Sequence, residues 1–405
     1  MRLNICLTFA AILFLCGGSQ AQTPDSPAPA TVTWDGKHLA AMKVKLSGGD
    51  KQELKDYEKV ISRLRRATKE AMRSKPASVV EKDETPPSGD KHDYLSFSRY
   101  WWPDPKKKDG LPYIRKDGVV NRKLVQRGDR EKIGNLGYHL VPLALSNYLY
   151  DDEKAGEHAV KLLRTWFLDP DRKMNPNLNF AQGVPGREPG RGVGIIDSRG
   201  FIWLMESVVL LESTGAISDE DAAGLRVWFS EFLEWLESSE LGKEERNKEN
   251  NHGSWFAAQA GRIAVFVGRD DFAKTIVRDV KNKRFPNQIK DDGSQPFELA
   301  RTKPVHYCFF NLSALTFVAQ VGDAVQENLW GDELRLAVER LEELSCGDKS
   351  DRPEEIGKVT LSTAETNALR VLALKCDSKA ARTMLKKIPI KYKDKNFSLL
   401  QLPAE

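Results

Sequence analysis

Asn251 and His252 stand together in "NNHGSWFAAQ" (250–259), and Arg301 and Tyr307 lie six residues apart in "ELARTKPVHYCFFNLSAL" (298–315), with His306 beside the tyrosine. Each side chain alone has a plain reading: a helix-capping amide, a core histidine, a surface arginine, a core tyrosine. Together they supply the chemistry of β-elimination on a uronic acid. The C5 proton of such a sugar sits next to a carboxylate whose charge resists carbanion formation, so a catalyst must first neutralise that carboxylate. Asn251, His252 and Arg301 have the donors for this. A tyrosine whose pKa is lowered by a nearby cation can then take the C5 proton and protonate the departing O4. Where C5–H and C4–O lie on one face of the ring, as in mannuronate, Tyr307 serves both steps. Where they lie on opposite faces, His252 becomes the natural base. Neither route needs a metal or cofactor.

Two long irregular stretches, 92–122 and 169–200, carry the remaining polar and aromatic candidates, and loops of that length in a compact domain are usually functional. In the first, Tyr94, Tyr100, Trp101 and Trp102 crowd a Pro-bounded turn beside Arg99 and Asp104. Their rings either stack on sugar or plug a cavity. In the second, Asn177, Asn179, Gln182, Arg187, Arg191 and Arg199 are spaced by glycines and prolines. They either wrap an anion, with Arg pairing to carboxylate in two-pronged geometry, or stand solvated. "GRGVG" at 190–194 follows no strand and precedes no GK[ST], which argues against a nucleotide loop. The candidate substrate contacts are Tyr100, Trp101, Trp102, Asn179, Gln182, Arg187, Arg191, Asn250 and His306. Trp255 reads as core.

The elements that position these residues are helices. Apolar residues recur at three- and four-residue steps over 131–149, 154–167, 201–214, 221–237, 254–267, 309–320, 333–345 and 362–375. Ser218, followed by Asp219, Glu220 and Asp221, marks one start. The helix headed by 250–259 reads as amphipathic, and the one after Pro304 as beginning at Cys308. Short connections at 150–153 and 215–218 imply antiparallel neighbours. Helical hairpins without a fixed-period repeat predict an all-α fold, an (α/α) toroid in preference to a solenoid.

Residues 1–21 read as a cleavable signal peptide, 22–31 as a Pro/Ala tether with nothing to pack, and 32–405 as one domain. The expected location is periplasmic or secreted, with no membrane span and a monomeric state. The 62 basic and 58 acidic residues are too balanced for a nucleic-acid partner. Cys308, Cys346 and Cys376 are expected as buried thiols with at most one disulfide.

The stretches "YLSFSRYWWPDP", "NLNFAQGVPG", "NNHGSWFAAQ" and "ELARTKPVHYCFFNLSAL", in this order across residues 90–320, resemble the alginate lyase family of polysaccharide lyases. The resemblance implies an (α/α) toroid and cofactor-free eliminative cleavage of an anionic polysaccharide. It implies that Asn251 and His252, assisted by Arg301, neutralise the uronate carboxylate, and that Tyr307 is the proton donor and the base for mannuronate. The short Arg301–Tyr307 spacing and Cys308 after the tyrosine place the chain in a divergent branch, for which glucuronan or another polyuronate is the alternative substrate. Two rival readings stand beside it. A glycoside hydrolase would need opposed carboxylates, with Glu298, Asp292 and Asp197 as candidates in contexts that do not raise their pKa. A non-catalytic polyuronate-binding protein would use the same four residues as a static clamp. A zinc site through His252 and His306 lacks ligand spacing.

Overall fold

The computed structural model describes residues 27–49, 52–348, 353–354, 357–391 and 396–403. The expected signal peptide lies outside them. Of the expected tether, 22–31, only 27–31 lie among the described residues: 27, 28 and 30 are exposed, while Pro29 is buried and its carbonyl accepts the Thr31 N–H at 2.8 Å.

Helices form wherever the three- and four-residue periodicity ran, and they alternate between two layers. Arg130–Tyr150, Phe201–Ser213, Asn251–Phe266, Pro304–Ala324 and Thr363–Lys375 pack side by side as an inner ring. Each is followed by an outer helix laid against it or its neighbours: Glu153–Leu163, Asp219–Ser238, Asp270–Asp279, Asp332–Cys346 and Lys379–Lys387. The ring closes through the chain ends. Gly36–Gly48 packs on Arg130–Tyr150 and on the Ser398–Gln401 turn, which packs on Thr363–Lys375. The Asp35 N–H donates to the Gln401 carbonyl at 2.9 Å.

The inner position explains one departure from the sequence reading. Asn251–Phe266 is not amphipathic: it is buried on nearly every face, because inner helices touch neighbours on both flanks and an outer helix behind. Pro304–Ala324 is likewise buried along its length, and it starts at Pro304 rather than Cys308, since proline is well tolerated in a first turn.

Outer helices return the chain between inner ones, so the inner helices share a direction and present their N-terminal ends at one mouth. Contacts among those ends bear this out: Arg130 pairs with Asp197 just before Phe201–Ser213 at 3.1 Å, and His306 Nδ1 lies 3.8 Å from Glu365 Oε1 on Thr363–Lys375. The two long loops gather at the same mouth, joined by the parallel pairing of Leu95–Phe97 with Phe180–Gly183. Within the first loop, Trp101–Trp102 and Ile114–Arg115 form a short antiparallel ribbon.

Candidate active site

Asn250, not Asn251, caps the central helix: its extended backbone lets the side-chain oxygen accept the His252 N–H at 3.1 Å. Asn251, one residue in, is 1% exposed and turned toward Glu298. Its N–H donates to Glu298 Oε1 at 2.6 Å and its Nδ2 to Oε2 at 2.7 Å. Burial holds the Glu298 carboxyl above the usual range, an effect the two Asn251 hydrogen bonds only partly offset. This corrects the expectation that no rival carboxylate has a raised pKa.

Next to it, His252 Nδ1 lies 2.6 Å from Oε1 of Glu245, a carboxylate 1% exposed at the end of the Glu240–Arg246 helix. A carboxylate accepts, so this contact puts a hydrogen on Nδ1 and fixes the orientation of the ring.

The second wall is the start of Pro304–Ala324. Tyr307 is 9% exposed, and its phenol oxygen accepts from Arg301 Nη2 at 2.9 Å and lies 3.4 Å from the Tyr100 hydroxyl. The Arg301 guanidinium sits 4.0 Å from the Tyr307 ring centre. The sequence reading expected this cation to lower the tyrosine pKa. The structure reverses that: burial, with the neighbouring Tyr100 hydroxyl, drives it well above the ordinary value despite Arg301. Tyr307 therefore rests as the neutral phenol.

Asp117 ties the aromatic loop across this wall, accepting from Arg301 Nη2 at 3.3 Å, Thr302 Oγ1 at 3.2 Å and Arg115 Nη2 at 2.7 Å. His306 lies beside Tyr307, ring centres 5.3 Å apart, and stacks on Phe310 with ring centres 6.2 Å apart. Its pKa falls to about 4, first through desolvation and then through Lys303, Lys391, Arg99 and Arg301.

The remaining predicted contacts divide. Tyr100 joins the phenol cluster. Trp101 carries the Arg187 guanidinium 4.9 Å and the Arg191 guanidinium 5.9 Å from its ring centre, while Lys116 lies 5.4 Å from the ring of Trp102. These two indoles already have cation partners. Arg191 also bonds the Gln182 carbonyl and Ser98 Oγ, at 3.0 and 2.8 Å. Gln182 is 8% exposed and spends its amide on Asp197 at 2.8 Å. Asn179 accepts from Trp235 Nε1 at 3.0 Å. Trp255 is fully buried against Phe310, with ring centres 4.9 Å apart.

Sequence reasoning missed Glu245 and Asp117, and named Glu298 only as a hydrolase candidate, not as the partner of Asn251. All are acidic residues that act through another side chain, and no local pattern distinguishes them from their charged surroundings. Of the hydrolase candidates, Asp197 is saturated by Tyr94, Ser96, Gln182 and Arg130, Glu298 is held by Asn251, and Asp292 is exposed. None of the three offers the cleft a free, opposed carboxyl. Among the described residues, no group of three His, Cys, Asp or Glu side chains is placed to hold a metal ion, no helix is long and apolar enough to cross a membrane, and Cys308, Cys346 and Cys376 are free thiols.

The chain and its fold have counterparts among known proteins. Residues 78–343 match the alginate lyase family model. No curated protein matches the chain. A crystallised alginate lyase from Bacteroides ovatus superposes with a TM-score of 0.83 at 32% sequence identity, over 92% of this chain and 99% of that one. The family match over most of the chain, together with the shared (α/α) toroid, makes this protein a member of the alginate lyase family and a polysaccharide lyase.

Proposed function

We propose that the protein cleaves mannuronate-rich alginate by β-elimination, leaving 4,5-unsaturated uronate ends, with Tyr307 as the acid. The observation that carries this is the neutral, buried Tyr307 phenol with Arg301 Nη2 at 2.9 Å, together with His252 held through Nδ1 by Glu245 at 2.6 Å. The uronate carboxylate enters between the two walls. The second N–H of the Asn251 amide, His252 and Arg301 draw off its charge, lowering the cost of the carbanion at C5.

For same-face sugars, mannuronate and glucuronate, the Tyr307 phenol first loses its proton to solvent; the phenolate then takes the C5 proton and delivers it to O4, which departs as a hydroxyl as the C4–C5 double bond forms and leaves the phenolate for the next turnover. The Arg301 N–H on the phenol oxygen stabilises that phenolate. For opposite-face guluronate, His252 Nε2 takes the C5 proton and Tyr307 protonates O4. Guluronate is the alternative substrate on this second route, and glucuronan the alternative on the first. We further propose that Tyr100, Asn250 and His306 border the bound sugar, and that the protein works as a monomer outside the cytoplasm.

The test is ultraviolet absorbance of unsaturated product from purified protein given polymannuronate, polyguluronate and glucuronan, beside Tyr307→Phe. Rising absorbance that the folded variant abolishes supports the reading and identifies the sugar. Activity that survives Tyr307→Phe removes the tyrosine from the mechanism.

A further inference from the structure

Three guanidinium groups converge at the cleft mouth behind Tyr100. Arg130 opens one inner helix, Arg199 precedes the next, and Arg99 is the residue before Tyr100. Their mutual repulsion is felt at Arg199, whose pKa is pulled down to about 10, first by burial and then by Arg130 and Arg99. Against these three cations stands one close carboxylate, Asp197, 3.1 Å from Arg130 and already accepting from Tyr94, Ser96 and Gln182. Among the described residues, neither Arg99 nor Arg199 has a carboxylate within salt-bridge distance. Arg99 Nε and Arg130 Nη1 are buried without a hydrogen-bond partner. The other charged groups facing the cluster are Glu365, buried with its carboxyl raised to about 6, Lys391 and His306.

Sequestering like charges with unmade hydrogen bonds is costly in an empty site and sensible in one that receives an anion. The surroundings suit a sugar. Tyr138 stands 46% exposed on the Arg130–Tyr150 helix and interacts electrostatically with Arg199. On the same helix, Gly134 and Gly137 face open space, although glycine weakens a helix interior. The Arg199 guanidinium lies 5.8 Å from the Phe310 ring centre, three residues on from Tyr307. That is about one helical turn, a step comparable to one sugar along a chain.

We propose that Arg99, Arg130 and Arg199 form a second carboxylate subsite, which holds the uronate next to the one cleaved while Tyr138 lies against its ring. This rests on the polyuronate reading above, but its test does not depend on turnover.

In a Tyr307→Phe background, which removes cleavage from the measurement, tetramannuronate, tetraguluronate and tetraglucuronate are titrated calorimetrically at low salt. Arg99→Gln and Arg199→Gln each weaken the tightest of the three by about tenfold, as expected for a truncated charge-assisted contact. Arg199→Lys, which keeps the charge and guards against a folding defect, recovers most of the loss. The same tetramer with its carboxyls reduced to alcohols binds parent and variants equally weakly. Unchanged affinity in both folded Gln variants overturns the subsite, as does a parent that binds none of the tetramers. A parent that binds with arginine dependence, while the Tyr307-intact chain releases no unsaturated product, leaves the subsite standing and sinks the lyase assignment instead.

Discussion

Glu245 lies directly behind His252, its Oε1 2.6 Å from Nδ1, and is 1% exposed. The carboxylate holds a hydrogen on Nδ1 and fixes the ring's orientation, the role an orienting acid plays behind any general base. Glu245→Gln keeps the shape and loses the charge. On guluronate, kcat is expected to fall by about 100-fold, within the range a positioned base supplies, with KM little changed. On mannuronate the loss is smaller. Equal losses on both polymers would mean a purely structural role for Glu245.

Arg301→Lys tests the other wall. Lysine keeps the charge but not the planar fork that bonds the Tyr307 oxygen at 2.9 Å while lying over its ring. The expected outcome is a drop in kcat of about 10–100-fold, read from initial rates of unsaturated product. It is larger on mannuronate, where the phenolate must form.

The pH profiles of the two polymers separate the two bases. Tyr307 is held well above its ordinary value by burial, so below that value it is almost wholly protonated and the base-competent fraction grows with pH. Mannuronate turnover keeps climbing on the alkaline side, with no plateau below the usual tyrosine range of about 10. Guluronate turnover, which needs no phenolate, lacks this alkaline climb. A common plateau on both polymers would assign one base to both.

Asp117 holds the aromatic loop to Arg301 and Thr302 at 3.3 and 3.2 Å. Asp117→Ala frees that strap. The expected result is a KM raised by about fivefold, since each ordered loop must be immobilised afresh on binding, together with faster limited proteolysis between residues 101 and 122.

Glu365 offers a stability test. Its folded pKa is about 6, raised chiefly by desolvation, against an ordinary 4.5. With the folded value raised, the fold disfavours the ionised form. The cost is absent below the unfolded pKa and fully present above the folded one. Glu365→Gln, which can keep the Ser362 capping box, removes that cost and is expected to stabilise the protein by about 2 kcal/mol at pH 8. At pH 4 it changes little, as judged by denaturant midpoints at the two pH values.

The helices were legible because their apolar spacing is a local property. Residues 131–149 and 201–214 each run within one residue or so of the helices seen, Arg130–Tyr150 and Phe201–Ser213. The inner or outer place of each helix was less so. Asn251–Phe266 carries Arg262 in its buried face, neutralised by Glu206 at 2.7 Å, and that pairing across 56 residues leaves no mark in a short window. The same holds at the site. Asn251, His252, Arg301 and Tyr307 stand out by type, while Glu245, Glu298 and Asp117 are ordinary acids until the fold brings them behind those four. The tyrosine pKa was misjudged for a related reason. The cation six residues away was visible in sequence, whereas the burial that outweighs it belongs to the assembled ring.

The shared direction of the inner helices bears on how the protein meets its substrate. Each helix carries about half a positive charge at its N-terminal end, and five such ends at one mouth add a field that no titration can switch off. A polyanion drifting past is drawn to that mouth and turned toward it before any side chain makes contact. The capture rate is therefore expected to fall steeply with added salt while kcat at saturation stays nearly constant.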